Sequence, residues 1–82
     1  MKSFSEWRAD IEKFLRGVED RLAPEAPGEA RARLAELRAG AADVATREGQ
    51  LEVGNAIEKA LTERPELRAA ADLFFASRGG RK

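Results

Sequence analysis

Six large apolar residues near the start of the chain, Phe4, Trp7, Ile11, Phe14, Val18 and Leu22, follow one another at intervals of three or four. Only a helix gathers that spacing onto one face, and the resulting stripe is too apolar to be left in water. The chain must therefore bury a helix side against something else. Burial against further helices is the economical solution, because three more amphipathic segments follow and each needs a partner. A surface-seated membrane helix, for which Trp7 would suit the interface, explains only the first segment.

Ser3 and Glu6 have the spacing of a capping box, so the first helix is expected to run from Phe4 to about Leu22, roughly 28 Å at 1.5 Å per residue. Pro24 and Pro27 break it, since proline donates nothing to a helix ladder and restricts the residue before it. A second helical pattern starts at Glu29 with Ala30, Leu34, Leu37, Ala41 and Val44 on one face. Its small apolar positions complement the large ones of the first helix, which predicts a close antiparallel hairpin.

The register is lost around Glu48, Gly49 and Gln50, and Gly40, Gly49 and Gly54 each weaken a helix by about 1 kcal/mol relative to Ala. A break or kink is expected there. A third helix then spans about Leu51 to Glu63 with Val53, Ile57, Ala60 and Leu61. Pro65 suits a first helical position and starts a segment to about Ser77 that presents Leu67, Ala70, Ala71 and Phe74. The expected fold is all-α: a small antiparallel bundle of three helices, the last kinked or split near Pro65, or four if the split is complete, forming one domain over residues 1–77. Residues 78–82 read as a basic, disordered tail.

Aromatic side chains fall only in the first and last helical segments: Phe4, Trp7 and Phe14 at one end, Phe74 and Phe75 at the other. Rings bury the most area per residue, so the two segments are expected to touch. Leu73, Phe74 and Phe75 are consecutive and cannot share one direction on a helix. At least one of them is expected on a second interface.

Chemistry is limited by what the chain lacks. It has no His, no Cys and no Tyr, which removes the commonest general base, metal ligand and thiol or phenol nucleophile. Gly49 to Gly54 imitates the glycine spacing of a phosphate loop, but Asn55 and Ala56 stand where Lys and Ser or Thr are required. No cofactor, metal or small-molecule substrate is inferred, and no enzymatic activity is expected. Acid and base pairs four residues apart, such as Arg8 with Glu12, Glu12 with Arg16, Arg16 with Asp20, Glu29 with Arg33 and Lys59 with Glu63, read as solvated helix faces.

Acidic and basic residues number 15 each and are intermixed, which argues against a field that captures nucleic acid or anionic membrane. The alternative of nucleic-acid binding rests on residues 43–61, a helix-turn-helix-like stretch with its turn at Gly49, and on the basic residues Arg78, Arg81 and Lys82. The second helix of that stretch carries Glu52 and Glu58, which would repel phosphate. No stretch reaches the roughly 20 apolar residues of a membrane span, and the opening residues lack the apolar run of a signal peptide, so a cytoplasmic setting is expected.

The function expected from these features is non-catalytic protein–protein interaction, as a small adaptor, regulatory subunit or inhibitor, with self-association as a homodimer. At 82 residues the chain is close to the size below which a single core supplies only about 3–5 kcal/mol, so a further surface is worth having. Trp7, Phe14, Phe74 and Phe75 are the candidate partner-binding residues, because large aromatics anchor interfaces.

Overall fold

A computed structural model describes residues 3–79, and among these every regular element is helical: α1 (Phe4–Asp20), α2 (Gly28–Ala42), α3 (Arg47–Glu63) and α4 (Pro65–Gly79). The helix count is therefore four, with Pro65 opening a separate element. Helix α1 packs on α2 and α4, and α3 packs on α2 and α4, closing a ring of neighbours. The body measures 36 × 33 × 17 Å, a slab about two helix layers thick. Helices α1 and α2 are antiparallel, since Arg8 reaches the Val44 carbonyl and Glu12 meets Arg38.

The start of α1 is capped as its sequence requires. The Glu6 amide donates to Ser3 Oγ (3.1 Å) and the Ser3 amide donates to Glu6 Oε1 (3.2 Å), satisfying two donors that a helix start otherwise leaves open. At the other junction a single residue, Arg64, separates α3 from α4. It is extended (φ −121°, ψ 103°), the conformation that the following proline imposes. Its guanidinium pairs with Glu66 at 2.6 Å and with Glu29 of α2 at 3.5 Å, pinning the corner to a third helix.

The break between α2 and α3 corrects the sequence reading. It falls at residues 43–46, not at Glu48–Gln50, and Gly40, Gly49 and Gly54 all lie inside helices. The cause is Thr46, whose Oγ1 accepts from the Gly49 amide at 3.0 Å and so starts α3 four residues earlier than expected. Val44 and Ala45 are in the connecting loop and Gly49 is in the first turn of α3, so the expected helix-turn-helix geometry, with its turn at Gly49, is not formed. Thr46→Ala removes the cap and is expected to cost about 1 kcal/mol in urea unfolding.

The core is continuous through all four helices: Leu15, Val18 and Leu22 meet Ala30, Leu34 and Leu37, with Ala60, Leu67, Ala70 and Ala71 completing it. A second cluster of Ala41, Val44 and Val53 lies toward the start of α1. Among the described residues, five of the fourteen buried apolar ones are alanines, which is what lets helices carrying few large side chains approach closely.

Candidate functional site

Phe14 of α1 meets both aromatic residues of α4, so the two end segments touch as their aromatic content predicts. Phe74 stands on Gly17, the one place in α1 where the absence of a Cβ leaves room for a ring. Phe14 meets Phe74 edge-on (centroids 5.4 Å apart, planes at 82°) and stacks on Phe75 (5.4 Å, 27°), while Phe74 and Phe75 are edge-on to each other at 5.6 Å. Such arrangements follow the ring quadrupole, negative on the face and positive at the edge.

Arg21 closes the cluster from the end of α1. Its guanidinium lies 5.3 Å from the Phe74 centroid and donates to the Gly17 carbonyl (3.1 Å) and to Ser77 Oγ (2.9 Å). Ser77 in turn donates to the Phe74 carbonyl at 3.1 Å. A cation over a ring, braced at both ends, fixes the angle between α1 and α4.

Burial separates the four candidate residues. Phe74 is only 5% exposed and belongs to the core of the single chain, so its ring is not available to a partner. Phe75 is 56% exposed and Phe14 is half-buried beneath it. Trp7 does not join them; it is half-buried against Ala41, Val44 and Val53 at the other end of α1. Helix α4 reaches Gly79, past the point where the basic tail is expected to begin. The side chain of Arg78, together with Arg81 and Lys82, lies outside the described residues. Leu73, also 56% exposed, emerges as a surface residue that the candidate set omits, although its place beside two phenylalanines is the sequence signal for it.

A cleft of 270 Å³ between α1 and α2 is lined by Arg8, Ala9, Glu12, Arg38, Ala41 and Ala42. Its charges are already engaged. Arg8 donates to the Val44 carbonyl, and Arg38 forks onto Glu12 through Nε (3.1 Å) and Nη2 (2.8 Å) while Nη1 reaches Glu19 at 3.3 Å. The hydrogen bonds from Arg38, and then its charge, hold the Glu12 carboxyl below its ordinary value, and Glu12 raises Arg38 in return. These bonds tie α2 to two points on α1 that lie two turns apart. Among the described residues every buried side chain is apolar, and no three carboxylates converge where a cation would sit.

Set beside protein-family models, curated proteins and solved structures, the chain matches none of them. The functional reading therefore stands on the residues themselves. Among the described residues no helix is long and apolar enough to cross a membrane.

The Arg38 fork has a pH consequence. A carboxyl whose folded value lies below its unfolded one stabilises the fold above the unfolded value, and that contribution is lost as pH falls through the folded value. Arg38→Met is thus expected to lower the melting temperature at pH 7. The two melting curves should converge as pH drops below 4.5, the ordinary value for Glu12. A gap that stays constant down to pH 2 would show that the fork acts only through packing.

Proposed function

We propose that this chain is a non-catalytic protein-interaction module, an adaptor, regulatory subunit or inhibitor, working through the apolar surface that Phe75 and Phe14 present. The observation that carries this reading is the position of Phe75: 56% exposed, yet held on one face by stacking on Phe14. A ring fixed before binding loses little freedom when a partner covers it, which is the property of an interface anchor. Self-association as a homodimer belongs to the same reading, as does a cytoplasmic setting.

The test is cross-linking in the source cells followed by mass spectrometry of the tagged chain, wild type against Phe75→Asp. Because Phe75 is exposed, the variant should keep its helical circular dichroism, with a melting temperature lowered only by the lost ring contacts with Phe14 and Phe74. Recovery of a cross-linked protein, or of a second copy, should fall at least tenfold. Equal recovery by both forms, or none by either, would overturn the proposal.

A further inference from the structure

Among the described residues, two of the four exposed large apolar side chains, Leu73 and Phe75, are on α4. At about 100° per residue they stand about 160° apart around the helix, on the two shoulders of the buried seam formed by Leu67, Ala70, Ala71 and Phe74. Between those shoulders the outward face carries Pro65, Ala69, Asp72 and Ala76, all exposed and spaced four, three and four residues apart. This strip of mostly small residues, flanked by Leu73 and Phe75, runs along the outer side of the helix with the spacing of a helix-pairing seam.

The charge on this face is balanced within itself. Arg68 Nε lies 3.5 Å from Asp72 Oδ1, and both side chains remain more than three-fifths exposed, 63% and 67%. One cation and one anion, one turn apart, form a pattern that complements its own copy when rotated by a two-fold axis passing level with Ala70. An isologous contact requires that kind of self-match.

We propose that this outward face of α4 pairs antiparallel with α4 of a second copy, Arg68 of each chain facing the partner's Asp72. The inference rests on the interaction reading above and names a second copy as the occupant of the face of α4 beside Phe75. In this register Ala69 lies against the partner's Asp72, Leu73 covers the aliphatic stem of the partner's Arg68, and Ala76 meets the partner's Pro65. One helix face buries less than the roughly 800 Å² per partner of a standard interface, so the dimer is weak, with Kd on the order of tens of micromolar.

Sedimentation velocity on the full chain tests it, with three samples beside the wild type: Arg68→Asp, Asp72→Arg, and the two variants mixed in equal amounts. Each variant alone places like charges across the axis and should self-associate at least tenfold more weakly. The mixture should recover dimer at the wild-type level. Both variants lose the pair within their own α4, so recovery on mixing reports only a contact between chains. A wild type that stays monomeric up to about 1 mM overturns the proposal, as does a dimer that the single variants leave unchanged. A monomeric wild type whose Phe75 still governs cross-linking to a different protein removes the second copy and leaves the interaction reading in place.

Discussion

Gly17→Ala is expected to destabilise the chain by about 2 kcal/mol, whereas the same change at Gly40 or Gly54 should stabilise it by about 0.5–1 kcal/mol. All three glycines are helical and none has a positive φ, so alanine is the better helix former at each by about 1 kcal/mol. The difference lies in what a Cβ meets. At Gly40 and Gly54 nothing comes within 4 Å, and only the loss of unfolded-state freedom is felt. At Gly17 the new carbon would overlap the Cδ1–Cε1 edge of the Phe74 ring, which is buried and held by Phe14, Phe75 and Arg21. The ring cannot swing aside without opening the contact between α1 and α4. Urea unfolding of the three variants checks the signs, and Gly17→Ala combined with Phe74→Leu should recover part of the loss. A Gly17→Ala protein as stable as the wild type would mean that the two helices are not packed ring against backbone.

That glycine also shows where sequence reading stopped. Gly17 interrupts a strong amphipathic stripe, and an isolated glycine in such a place signals either a weak helix or a close approach. Only the position of Phe74, 57 residues later, decides between them. The stripe itself, the Ser3 and Glu6 box, the start of α4 at Pro65 and the meeting of the aromatic ends were legible, because each depends on residues a few positions apart or on burial alone. The loop at 43–46 was not. Glycines at 40, 49 and 54 drew attention to the wrong place, and a lone threonine, without a Glu three residues on, carries a weak capping signal.

The ion pairs show the same limit. Glu12 with Arg16 and Lys59 with Glu63 form at four-residue spacing as expected, at 3.8 and 4.0 Å, longer than the contacts that Arg38 makes across helices. The short contacts of Arg38 and the longer ones of Arg33 with Glu63 and Arg64 with Glu29 join different helices. Spacing along a chain cannot rank them. The cross-helix pairs are the ones that set how α2 lies against α1 and against the corner at Arg64. For the surface, Leu73, Phe74 and Phe75 were known to face different ways, yet which of them the core keeps depends on the rotation of α4, and that is set by Leu67.

Leu67→Ala is expected to cost about 2–5 kcal/mol, while Leu73→Ala, the same substitution six residues along the same helix, should stay within about 0.5 kcal/mol. Leu67 is fully buried, 0% exposed, in the core shared by α1, α2 and α3, and its loss leaves a void that three helices would have to collapse to fill. The short connection through Arg64, pinned to Glu29, keeps the start of α4 from moving inward. A chain of this length has a total stability of about 4–12 kcal/mol, so the Leu67 variant should lose a large share of it and be partly unfolded at 37 °C. Thermal melts of both variants at about 1 µM, dilute enough that a dimer of the proposed strength is dissociated, separate the cases. Equal losses at the two positions would mean that α4 is rotated from the orientation described, which would bury Leu73, turn Phe75 away from Phe14 and dismantle the face on which the interaction reading depends.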